Sequence, residues 1–180
     1  MIVASSDQLK YPIGKYQPST TITKDMIGRW IDEIERLPAK LRSLVSNLSQ
    51  DQLDTPYRPD GWTIRQVIHH IPDSHVNGYI RFKWALTEDT PIIKPYEEQL
   101  WAELFDSTSA PIAISLSILE ALHAKWVYLL KGLPIEDLER TFIHPATNTE
   151  APLKAIIELY AWHGQHHYMH IKNLLVSKNW

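Results

Sequence analysis

Cysteine is absent from this chain, and that absence narrows its chemistry at once. It excludes disulfides, thiolate metal ligands and a cysteine nucleophile. Any metal must therefore rest on His, Asp or Glu, and any thiol chemistry must use a thiol from outside. An excess of one charge is missing too. The net charge is −3 over 180 residues, which leaves no electrostatic footprint for nucleic acid or an anionic membrane. No apolar run approaches the length of a membrane span. The opening MIVASSDQLKYP lacks the basic and apolar regions of a signal peptide, so the expected location is cytoplasmic. Strand patterns are nearly absent, as are repeats and low-complexity segments. A chain of 180 residues is large enough for one domain, 1–180, with a substantial core.

Histidine is what the chain has in concentration. Four of its nine histidines fall within the segment YAWHGQHHYMH, residues 160–170. His163 and His167 are four residues apart, which on a helix stacks two imidazoles about 6 Å apart on one face. That spacing lets two nitrogens reach one metal ion. Leu153, Ile156, Tyr160, His163, His167, Ile171 and Leu174 follow the three/four spacing of a buried stripe, so the pair points inward. A lone inward histidine is more often a hydrogen-bonded core residue; a stacked pair favours a shared ligand. His166 and His170 lie about 60° round the helix and read as rim or supporting groups, or as exposed. The HExxH signature is not met, because Gly164 stands where its glutamate base would be.

The rest of the chain reads as helices. Residues 1–20, with Pro12, Gly14 and Pro18, form an extended arm. A first helix starts near Thr21 to Thr23 with the stripe Ile27, Trp30, Ile34, Leu37, Leu41, Leu44 and Leu48, and Pro38 kinks or divides it. After a Pro- and Gly-bearing connection, 49–61, a second helix is capped by Thr63 and runs to about Thr87, with Pro72 inside. His70, Ser74, Asn77 and Arg81 make a polar stripe along its flank. Residues 88–110 are long for a connection inside a bundle and form either a lid, with Tyr96, Glu97 or Trp101 facing in, or a crossover strap. Pro111 opens a third helix with Leu116, Leu119, Leu122, Trp126, Leu129 and Leu130 inward, and His123 on the border of that face as a satisfied core or rim residue rather than a ligand. A short helix spans 134–140, a polar loop follows His144-Pro145, and Pro152 opens the last helix. The fold class is all-α, a four-helix bundle.

A third ligand would give three protein groups and one open position, the arrangement of catalytic zinc sites. His70 heads the polar stripe and is the better choice; His69, which shares a more exposed-looking side with Arg65 and Asp73, is the alternative. At this point the chain resembles the YfiT-like branch of the DinB-like superfamily, on the segments LKYPIGKY, GWTIRQVIHHIPDSHVNGYIRFKWALTEDTPIIKPYEEQLWAELFD, LEALHAKW and LYAWHGQHHYMHIKNLL. The resemblance covers almost the whole chain. It implies an up-down-down-up bundle with 88–110 crossing between parallel second and third helices, and one divalent metal held by His70, His163 and His167. It also implies a homodimer. The reaction it implies is either metal-dependent hydrolysis or transfer of a low-molecular-weight thiol, such as bacillithiol, to an electrophile. Zn2+ is the default ion and Ni2+ the alternative, since imidazole suits both. Asn77 and Arg81 are candidates for orienting a substrate carboxylate or amide, with an interhelical salt bridge or hydrogen bond as the plainer reading. No carboxylate shares the histidine stripe, so no general base is assigned. A metal-binding or stress-response module without turnover, and a purely structural bundle, are the competing functions.

Overall fold

The computed structural model describes residues 6–180; the first five residues of the expected arm lie outside them. The arm is not extended throughout, because α1 (Ser6–Lys10) forms a helical turn before it. The four long helices are α2 (Lys24–Val45), α4 (Ile64–Thr87), α7 (Ile112–Gly132) and α8 (Leu153–Lys178). Shorter pieces join them: α3 (Gln50–Leu53), α5 (Glu98–Ala102), α6 (Phe105–Ser109) and a 3-10 turn, Ile135–Glu139. Side chains supply the orphaned partners at several helix starts. Thr23 accepts from the Met26 N–H at α2. Thr63 caps α4 as the sequence predicts, and Gln66 returns the bond to the Thr63 N–H in a capping box. Gln66 also donates to the Ala102 carbonyl, so the start of α4 holds the crossover in place. Both internal prolines sit within continuous helices: α2 runs through Pro38 and α4 through Pro72, so Pro38 does not divide the first helix.

Helix α4 packs on α7 and α8, and α2 packs on the same two, so the four form a square in up-down-down-up order. The apolar stripes fill it as two clusters. One holds Ile27, Ile31, Ile34, Phe82, Trp126, Leu153, Ile157 and Tyr160. The other holds Leu37, Leu41, Ile64, Val67, Ile68, Leu116, Leu119 and Ile171. On α4, α7 and α8 the residues between these clusters include His75, His123 and the four histidines of the last helix. Two glycines let helices close in there. A Cβ on Gly78 would run into the Tyr160 ring, and one on Gly164 into the Leu37 side chain. Gly164 thus faces α2 rather than the expected metal, and it marks close packing instead of a missing base.

Helix α7 is long and apolar enough to cross a membrane, with a mean hydropathy of 1.3, which corrects the expectation that no such run exists. Its burial is one-sided, however. Leu116, Leu119, His123, Trp126 and Leu130 are buried, while Glu120 and Lys125 lie on the exposed side. That is the pattern of a bundle helix.

The polar loop after His144 is also corrected. Strands β1 (Thr141–His144) and β2 (Thr149–Pro152) pair antiparallel, with Thr141 opposite Pro152 and His144 opposite Thr149. Asn148, at a φ of 50°, makes the turn. Phe142 anchors the hairpin in the core. The crossover joins it through the Ile143 N–H donating to the Pro91 carbonyl and the Ile93 N–H donating to the Ile143 carbonyl.

Candidate metal centre

Helix periodicity brings His163 and His167 to one face of α8, and α4 sets His70 against them. One ring nitrogen from each of the three lies within 4.8 Å of the others. Nε2 of His70 and Nε2 of His163 are 3.2 Å apart, close to the roughly 3.3 Å that two nitrogens subtend on a tetrahedral zinc about 2.05 Å away. His70 and His167 are buried, and Nδ1 of His167 is a buried polar atom without a hydrogen-bond partner. Trp62, just before the α4 cap, covers the group, with ring centroids 4.6 Å from His70 and 6.3 Å from His167. The donor set is therefore three converging imidazoles, which suits a divalent ion such as zinc or nickel.

The electrostatics favour ligation. Burial pulls all nine imidazoles below their ordinary value. For His70 this brings the value to about 4, with a smaller push from His166. His163 and His167 fall well below the ordinary value, by burial first and then by neighbouring histidines. Each is neutral near pH 7 and offers a lone pair without first losing a proton.

An open cavity of about 270 Å³ lies against the three histidines. Helix α8 contributes Trp162, His166 and His170 to its wall, and the connection before α4 contributes Tyr57, Arg58, Asp60 and Trp62. The arm supplies Lys10 and Tyr11, and the crossover supplies Glu98 and Gln99. His166 and His170 are accordingly buried wall residues, not exposed ones, and Nε2 of His170 donates to the Lys10 carbonyl at 3.1 Å. The arm is latched further on, where Glu158 of α8 accepts from the Ser19 N–H, the Ser19 hydroxyl and the Tyr16 hydroxyl.

His69 is buried rather than exposed. Its Nε2 donates to the Ala110 carbonyl at 3.1 Å and its Nδ1 accepts from the Ser115 hydroxyl at 2.7 Å. Both nitrogens are committed to these partners, whereas His70 places its Nε2 beside His163. Arg65 on the same side is also buried, bonded to Asp54, Gln50 and the Ala110 carbonyl. Asn77 and Arg81 do not join the histidines. They lie about 10 and 16 Å along α4 from His70 by helical rise, and neither lines the cavity. Asn77 donates to the Asp73 carbonyl one turn back. The Arg81 charge instead acts on His144 and Tyr160. In the crossover Tyr96 packs on Trp101, and it is Glu98 and Gln99 that reach the cavity.

One residue of the group has no signature in the stripe patterns. His75 is fully buried on α4, with Nε2 3.1 Å from Nδ1 of His163 and Nδ1 2.8 Å from Nε2 of His123. His123, expected on the border of the α7 core face as a core or rim residue, is buried and bonded.

A helical bundle with a three-imidazole cluster opening on a small cavity defines a class of metal-site proteins, and comparison with known sequences agrees. Residues 33–171 match the DinB superfamily, and the chain belongs to that family. It is 56% identical over 174 residues to a Bacillus cereus (strain 03BB102) protein, covering 97% of this chain and 99% of the relative. The same figures hold for a protein of Bacillus thuringiensis subsp. konkukian (strain 97-27). Both relatives carry the name metal-dependent hydrolase as an inferred assignment. Among solved structures, YfiT from Bacillus subtilis superposes with a TM-score of 0.94 at 47% identity, over 96% of this chain and 99% of that one. It is described, also by inference, as a metal-dependent hydrolase with an unusual four-helix bundle topology.

Proposed function

We propose that the chain is a metal-dependent hydrolase in which His70, His163 and His167 hold one divalent ion, Zn2+ first and Ni2+ second. The observation that carries this reading is the convergence of three neutral imidazoles beside an open cavity. Among the described residues no fourth His, Asp or Glu joins the cluster. A group that leaves a position open is the catalytic pattern, and a closed set of four is the structural one. When bound, such an ion supplies Lewis acidity to a nucleophile and to a polarised substrate oxygen.

The chain's own residues shape the rest. Trp62 lies across His70 and His167 and narrows the approach. Glu98 and Asp60 give the cavity two carboxylates that the helix patterns do not reveal. Tyr11, Tyr57 and Trp162 offer aromatic surface to a small substrate, and Lys10 and Arg58 offer positive charge to an anionic part of it.

Those two cations also favour a second reading, transfer of an anionic low-molecular-weight thiol of the bacillithiol kind to an electrophile. The chain has no cysteine of its own to serve as the thiol. Zinc-loaded wild type and His167→Ala, assayed on ester and amide substrates and on thiol–electrophile pairs, separate the readings. Hydrolysis that disappears in His167→Ala supports the first. Consumption of thiol without hydrolysis assigns the second. Stoichiometric metal with no turnover in either panel overturns both and leaves a metal-binding module.

A further inference from the structure

We propose that a hydrogen-bonded chain running from the Ile34 carbonyl through His123 and His75 fixes which nitrogen His163 presents to the metal. The inference rests on the metal role of His163 proposed above. It begins at Pro38. A proline has no N–H, so the carbonyl four residues earlier in the helix, that of Ile34, loses its usual donor. Nδ1 of His123 fills the place at 2.6 Å.

A carbonyl can only accept, so the His123 proton is on Nδ1. A neutral imidazole has one donor and one acceptor, and Nε2 of His123 must then accept. Its partner at 2.8 Å is Nδ1 of His75, which therefore carries the second proton. Nε2 of His75 is left as an acceptor, and Nδ1 of His163 stands 3.1 Å away. The third proton is thus on Nδ1 of His163, and its Nε2 lone pair faces Nε2 of His70 at 3.2 Å. One proton-free group at the far end sets the polarity of three rings in series.

The ends of the chain indicate its role. It stops at a carbonyl, which cannot take up a proton, so it does not conduct protons to solvent. His75 and His123 are positioning residues: they orient the His163 ring and choose its tautomer, as partners of metal-bound histidines do. The four groups come from α2, α7, α4 and α8, so the ligand is aligned by all four long helices together. His70 has no such constraint. In the metal-free protein its Nε2 must be the donor to His163, and on metal binding that proton must move to Nδ1 of the same neutral ring.

Histidine 15N NMR on the full chain tests this at neutral pH. In the metal-free protein, His123, His75 and His163 should carry the proton on Nδ1 and His70 on Nε2. Zinc should switch His70 to Nδ1–H and leave the other three unchanged. Zinc affinity, by competition with a chromogenic chelator, should fall about 10- to 100-fold in His75→Leu. His75→Gln should recover part of the loss, because its side-chain carbonyl can accept from Nδ1 of His163. A proton on Nε2 of His163 in the metal-free wild type, or unchanged zinc affinity in His75→Leu, overturns the proposal. If His75→Leu does not fold, the wild-type tautomers decide. Failure of wild type to bind zinc would refute the metal reading instead, while the tautomers of the metal-free protein would still judge the chain.

Discussion

At the residue scale, adjacent histidines have unlike tasks because their rings leave α4 in different directions. His69 has both nitrogens bonded to Ser115 and the Ala110 carbonyl, whereas His70 has its Nε2 beside Nε2 of His163. His69→Ala should therefore leave zinc stoichiometry intact and destabilise the fold by about 1–3 kcal/mol, the usual effect of stranding buried polar partners. Urea unfolding and metal analysis of one preparation check both; loss of the metal would contradict the assignment. The i, i+4 pair on α8 is legible in the sequence because helical spacing alone puts its members together. His75 is not legible in that way, since its partners lie on α7 and α8 and only tertiary packing selects them. The one local sign is Pro38, whose missing N–H announces that the Ile34 carbonyl needs a donor from elsewhere. Asn77 and Arg81 share the stripe of His70, but a stripe gives a face of the helix and not a position along it, and neither lines the cavity.

At the scale of elements, close approach of the helices depends on two glycines. Gly78→Ala places a methyl in the buried Tyr160 ring, whose hydroxyl donates to the Ser74 carbonyl. Overpacking of this kind costs about 1–3 kcal/mol and exceeds the roughly 1 kcal/mol gain in helix propensity. A net loss in thermal or urea stability is expected; a gain would show that Tyr160 has room to move. The N-terminal arm is held at Glu158, and it brings Lys10 and Tyr11 to the cavity. Glu158→Ala should raise proteolytic cleavage before Thr23 while the helical far-UV signal is kept. Unchanged cleavage would mean that the arm is secured elsewhere. The four long helices and the Thr63 cap follow from apolar spacing and local capping residues, while their up-down-down-up order is what the family resemblance implies. The hairpin at 141–152 does not follow from such spacing, because two four-residue strands are too short to show alternation, and their pairing is completed by backbone of the crossover.

At the scale of the whole molecule, a layer of buried imidazoles between two apolar clusters makes the fold sensitive to acid. Burial lowers His70, His123 and His170 to about 4 and His166 to about 3. Unfolded, such groups take up protons near pH 6.5. Between about pH 6.5 and 4 the unfolded chain therefore binds more protons, and stability falls as the pH drops through that window. Asp73, raised to about 6 by burial and then by Asp106, acts in the opposite sense but is one group against several. The urea midpoint of the metal-free protein should be flat above pH 7 and decline steeply below 6.5. Each fully titrating histidine adds up to about 1.4 kcal/mol per pH unit. A midpoint constant from pH 7 to 4.5 would contradict the burial of these rings.

The most direct test of the account is the metal content of untagged protein, purified without an affinity metal, in wild type and His163→Ala. About one zinc or nickel per chain in the wild type, lost in the variant while the helical spectrum is retained, is the expected result. No metal in the wild type, and none taken up on titration, would return the three histidines to the core as packing residues and remove the basis for the enzyme.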